Sequence, residues 1–166
     1  MNQEMHDKIK FLESQIASLS QDVKRLKDSQ WEPWETKEML DAEFEVIKKY
    51  AKHKGVYASK LPMKYRLDYG VYVGDRLMEL VEIKCRKKSI ERYPTLCLSL
   101  DKVMLGMELS KVAKVPFVLL IQWTDAIGYT ENFNDSFAAL GGWETKDKET
   151  DQEPMFHVPI KNFILI

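Results

Sequence analysis

Asp68, Glu82 and Lys84 stand in the stretch "RLDYGVYVGDRLMELVEIKCRKK", residues 66–88, with thirteen residues between the two carboxylates and a single residue between Glu82 and Lys84. Two carboxylates brought within a few ångströms of each other repel unless a cation lies between them, and a hard, oxygen-seeking divalent ion fills that role. A lysine beside such a pair can face a metal-bound water or offset the charge that develops on a phosphorane. The surrounding residues read as strand, where charges of this kind need a reason.

The elements that carry them follow from periodicity. Residues 64–73 and 77–86 alternate about Gly74-Asp75, a hairpin signal. On the second strand, period two sends Val81, Ile83 and Cys85 to an apolar core face and Glu82, Lys84 and Arg86 to the other. On the first, Asp68 shares parity with Arg66 and Tyr72, while Leu67, Tyr69, Val71 and Val73 point the opposite way. A twisted hairpin of this register brings Asp68 beside Glu82. The plain alternative is a solvated sheet face on which charges alternate with core residues.

Two flanking helices sharpen the reading. Thr36 to Lys54 has helical periodicity and ends at Gly55, a C′ glycine; Met39, Leu40, Val46, Ile47 and Tyr50 form its apolar face, and Glu43 falls at the centre of that face. Asp41, Glu45, Lys48, Lys49 and Lys52 occupy the solvated side. An inward carboxylate is costly unless paired or metal-bound, which directs Glu43 towards Asp68 and Glu82. The second helix, Ser99 to Lys114, places Lys102 on one face with Gly106, Leu109 and Ala113, so that Lys102 either reaches the same site or snorkels past the helix edge. Gly106 in mid-helix costs about 1 kcal/mol relative to alanine, and a close helix–strand approach accounts for it.

"VPFVLLIQW", Val115 to Trp123, is the nearly continuous apolar run of a strand buried on both faces, and "MFHVPIKNFILI" adds an edge strand or two, with Pro159 arguing against a central place. Glu144 to Pro154 reads as a polar loop. The order helix, hairpin, helix, buried strand, tail predicts an α/β or α+β fold with a mixed sheet. Ahead of it, Ile9, Leu12, Ile16, Leu19, Val23 and Leu26 form a heptad seam with β-branched residues at a and leucines at d, the pattern of a parallel two-stranded coiled coil. Pro33 marks a boundary, so residues 1–30 form a coiled-coil helix and 31–166 a globular domain. Residues 5–28 are expected to make the protein a homodimer.

Composition sets the outer limits. With 166 residues and 45% hydrophobic content the chain can bury one core plus an appendage. A formal net charge of −1 gives no global attraction to a polyanion, but Lys84, Arg86, Lys87, Lys88 and Arg92 form a local basic cluster leaving the proposed site, suited to phosphate contact. Two cysteines exclude a disulfide framework or a four-cysteine zinc site, and the absence of a membrane-length apolar run or a signal peptide predicts a cytoplasmic protein with no membrane partner.

A helix with an inward glutamate, a hairpin bearing Asp and then Glu-x-Lys, a helix with an inward lysine, and a buried strand together resemble the PD-(D/E)XK nuclease superfamily, with its restriction-endonuclease-like fold, over residues 35–125. "RLDYG", "EIKCR", "YPTLCLSLDK" and "VPFVLLIQW" are similar to small phage-type nucleases and Holliday-junction-resolvase-like members. "GGWETKDKETDQEPMFHVP" is similar to the ending of phage-encoded relatives, with Trp143 where arginine is usual, and Leu67 stands where the nominal motif has proline. The resemblance implies that Asp68 and Glu82 bind Mg²⁺ or Mn²⁺ with the Ile83 carbonyl as third ligand, that Glu43 is an additional ligand, and that Lys84 orients the attacking water. No small-molecule cofactor is implied. The expected activity is metal-dependent hydrolysis of DNA phosphodiester bonds, with Arg66, Arg86, Lys87, Lys88 and Lys102 on phosphates. The alternative is a non-catalytic nucleic-acid-binding or assembly protein that keeps the fold and oligomerises through its coiled coil. Duplex, junction, flap and single-stranded substrates all fit the sequence.

Overall fold

The computed structural model describes residues 36–62, 65–141 and 153–166; the heptad segment 5–28 and the boundary near Pro33 lie outside them. Helix α1, Lys37–Lys54, buries Val46, Ile47 and Tyr50, and carries Lys52, His53 and Lys54 in its last turn, where cations complement the helix dipole. Gly55 follows at φ +69°, a left-handed conformation suited to glycine, as the sequence predicts. Met39 departs from expectation: it lies about two turns before Val46, the first buried residue of the helix, and is 49% exposed.

Strands β1 (Tyr57–Lys60), β2 (Tyr69–Val73) and β3 (Arg76–Cys85) follow, with β2 and β3 joined through Gly74 at φ +58°. The hairpin is where the spacing put it, but β2 begins at Tyr69 rather than near residue 64. Arg66 is left-handed, at φ +56°, and a chain in that conformation cannot continue a strand. The turn also breaks the expected parity: Leu67 packs with Leu80 and Leu96, whereas Tyr69 and Val71 pack on the opposite face with Val81 and Ile83.

Strand β4 (Thr95–Ser99), helix α2 (Leu100–Ala113), and strands β5 (Phe117–Gln122), β6 (Ile127–Thr130), β7 (Phe137–Gly141), β8 (Glu153–Pro159) and β9 (Ile164–Leu165) complete the order. The main sheet runs β1-β2-β3-β5-β6-β9, and a second sheet runs β4-β8-β7. Strands β3 and β5 are parallel, with Glu82 opposite Leu119 and Lys84 opposite Ile121; the other pairs are antiparallel. The fold is therefore a mixed α+β structure, as expected.

Strand β5 is the shared spine of two cores. Val118 and Leu120 pack with Val46, Ile47 and Tyr50 of α1 on one face, while Leu119 and Ile121 pack with Val103 of α2 and with Leu96, Leu98 and Val158 of the second sheet on the other. Gly106 bears out the close approach: a Cβ there would lie 2.6 Å from the Phe117 ring. The tail corrects one expectation. Strand β9 is an edge, but β8 is central in its sheet, which Pro159 permits because it is the strand's last residue. Glu153 and Pro154, assigned by sequence to the polar loop, are the first residues of β8.

Candidate active site

The site forms where β2 stops short of β3. Tyr69 pairs with Val81, so the Ile83 N–H projects past the last paired residue of β2. It donates instead to the Asp68 carboxylate, at 2.7 Å from Oδ2. The left-handed Arg66 that ends the ladder thus gives Asp68 its position, and Asp68 stays in register because its N–H donates to the Val81 carbonyl and its carbonyl accepts from Leu61 N–H.

Glu82 lies on the α2 side of β3 with no exposed surface. Lys84 Nζ is 2.5 Å from its Oε1, and Lys102 Nζ, from the first turn of α2, is 3.5 Å from its Oε2. Lys102 also donates to the Arg66 carbonyl at 2.7 Å, which ties the helix to the turn before β2. Burial pushes the Glu82 carboxyl above the usual carboxylate range; Lys84 opposes that shift, Asp68 adds to it, and Lys102 opposes it. The bond from Ile83 N–H holds the Asp68 carboxylate next to Glu82 along β3, by way of the turn at Arg66 rather than by the expected strand parity, and of the two expectations for Lys102 the structure takes the one in which it reaches Glu82.

Other predicted residues sit farther out. Glu43 is inward, its side chain 13% exposed, and accepts from Lys60 Nζ at 2.9 Å. Lys60, on β1, was not singled out in the sequence because its pairing depends on β1 docking against β2. Cys85 is exposed at the end of β3, not in the core; its thiol is pushed up by partial desolvation and then by the charges of Glu43 and Asp68, so both carboxylates act on this one sulfur. Arg66 ion-pairs with Asp101 at 2.5 Å, and Ser99 donates to the same carboxylate. These bonds, Ser99 foremost, hold Asp101 below the usual range. The Arg86 guanidinium donates to the Cys97 carbonyl at 2.6 Å. Lys87 and Lys88 are exposed.

Two hard carboxylates in electrostatic contact, one wholly buried, are a donor set that suits Mg²⁺ or Mn²⁺. Among the described residues no group of three His, Cys, Asp or Glu side chains forms a ligand set.

A family model described as "Phage putative PDDEXK endonuclease" matches residues 30–166. The chain belongs to this PD-(D/E)XK family. The structure of Hjc, a Holliday junction resolvase from Archaeoglobus fulgidus, is similar at 16% identity and a TM-score of 0.47, over 76% of this chain and 86% of that one. No curated protein matches. Membership in the PD-(D/E)XK family accords with Asp68 just before β2, Glu-x-Lys on the adjacent β3, and a lysine from the following helix. Among the described residues no helix is long and apolar enough to cross a membrane.

Proposed function

We propose that this chain is a phage-encoded, divalent-metal-dependent DNA endonuclease that hydrolyses phosphodiester bonds and acts as a homodimer through residues 5–28. The observation that carries this reading is Glu82, a fully buried carboxylate held between Lys84 and Lys102 beside Asp68. A solvated sheet surface would leave such a group in water.

Asp68 and Glu82, with the Ile83 carbonyl oxygen, would hold Mg²⁺ or Mn²⁺, which when bound would supply Lewis acidity at the scissile phosphate and acidify a water; Glu43, paired with Lys60, would act on the site from farther out. Asp68 is oriented for this by the Ile83 N–H. Lys84, fixed by its contact with Glu82, positions the attacking water and offsets charge in the transition state. Lys102 is anchored on the Arg66 carbonyl and presents its ammonium to the same pocket, where it neutralises a flanking phosphate. Arg66, Arg86, Lys87 and Lys88 extend that positive surface along the backbone of the DNA.

The test is cleavage of labelled duplex, nicked, branched and single-stranded DNAs with Mn²⁺. Lys84→Ala is expected to lose on the order of 100-fold or more in rate with DNA affinity nearly unchanged, because its role is in the transition state. A Lys84→Ala enzyme as fast as wild type sinks the mechanism; a wild-type protein that binds these DNAs and cuts none of them has a binding or assembly role instead.

A further inference from the structure

Between Lys84 and Lys102 the chain makes an excursion, residues 86–94, "RKKSIERYP", which leaves the site at the end of β3 and leads into β4. Arg86, Lys87, Lys88 and Arg92 bring four cations against the single carboxylate of Glu91, in a chain of net charge −1. Among the described residues, Lys87 and Lys88 have no carboxylate partner. Tyr93, 56% exposed, follows directly, with the Arg92 guanidinium 5.6 Å from its ring centroid.

The excursion is held in place along its length. Thr124 N–H donates to the Lys88 carbonyl at 3.1 Å, Ile90 N–H to Asp125 Oδ1 at 3.0 Å, and Ile160 N–H to the Pro94 carbonyl at 3.0 Å. Ile90 also packs against the α2-side core. At the base, Arg86 is closed onto Cys97. Tyr93 thus presents its ring to solvent on an anchored backbone, and pre-ordering lowers the entropic cost of binding.

We infer that Tyr93, backed by Arg92, is a stacking platform for an unpaired base, and that the neighbouring cations hold the phosphates leading to it, so that the substrate is DNA with a single-stranded segment beside the cut rather than continuous duplex. This rests on the nuclease reading for the identity of the ligand. A ring of this kind stacks on any base through its π-face, whereas in an intact duplex the base faces are already occupied.

The experiment is fluorescence anisotropy of the full chain in EDTA, where cleavage does not intervene, against a single strand, a blunt duplex and a splayed-arm fork of matched sequence. Tyr93→Ala is expected to weaken binding of the single strand and the fork by about 5- to 150-fold and that of the duplex by less than about two-fold, with Tyr93→Phe close to wild type. Thermal melts of both variants matching wild type show that the fold is intact. Equal losses on all three DNAs, no loss on any, or a wild type that binds none of them overturns the platform. A chain that shows the Tyr93-dependent preference but cuts nothing with Mn²⁺ keeps the platform and loses the nuclease reading.

Discussion

Glu82 has no exposed surface, and its charge is compensated by two lysines whose own side chains are only about a third exposed, at 29% and 30%. Desolvation still dominates, with Asp68 adding to it, so its folded pKa lies above its unfolded value. The sign follows from linkage: stability contributed by the neutral carboxyl is fully present below the ordinary glutamate value and is lost as pH rises through the raised one. Glu82→Gln, permanently neutral, is therefore expected to melt above wild type at neutral pH in EDTA, the gap closing as pH falls below the ordinary glutamate value. Mg²⁺ or Mn²⁺ is expected to raise the melting temperature of wild type and to leave Glu82→Gln and Asp68→Asn unmoved. Thermal melts across pH with and without metal check both parts; an equal metal response in all three proteins removes Asp68 and Glu82 as ligands.

At the scale of elements, two of the three glutamates of α1, Glu43 and Glu45, are separated by their surroundings. Glu45 is solvent-exposed and lies 3.8 Å from Lys48, a surface pair of little energetic consequence. Glu43 is inward, paired with Lys60 of β1, and shares electrostatic influence on Cys85 with Asp68. Glu43→Gln is expected to slow cleavage by about ten-fold or more while Glu45→Gln stays within about two-fold, in proportion to the part an acidic group plays near the reacting phosphate. Comparable rates for the two variants, read by gel-based cleavage, make Glu43 a structural partner of Lys60 and nothing more. Helix α2 is tied to the site differently, through Lys102 on the Arg66 carbonyl and Gly106 against Phe117, so its first turn can follow β4 closely enough for Ser99 and Asp101 to hold Arg66.

For the whole molecule, the proposed dimer concerns how two sites are presented. In the heptad frame, Lys8 at g meets Glu13 at e of a parallel partner, and Asp22 meets Lys27. About three heptads are marginal for a lone coiled coil, so the assembly is expected to be concentration-dependent. Sedimentation equilibrium should show a dimer for the full chain and a monomer for a chain beginning at Trp31; the same mass for both excludes residues 5–28 as the dimer contact.

Local periodicity was enough to place α1, the Gly74 turn, β3, α2 and β5, because each element carries its own pattern of apolar residues and its own stop signal. The same reasoning singled out Glu43 and Lys102 as charges on apolar helix faces, and the Glu-x-Lys spacing after Asp68 singled out Glu82 and Lys84. Strand β4 was not read from the sequence, because the alternation of Leu96 and Leu98 alone is a weak signal beside the helix that follows. What the sequence could not contain was the left-handed turn at Arg66, which ends β2 early, frees the Ile83 N–H for Asp68 and offers a carbonyl to Lys102. Nor could it place β8 at the centre of a second sheet, or set Lys60 against Glu43. Those features depend on which strands lie side by side and on contacts between residues far apart in the chain, and only packing around β5 decides them.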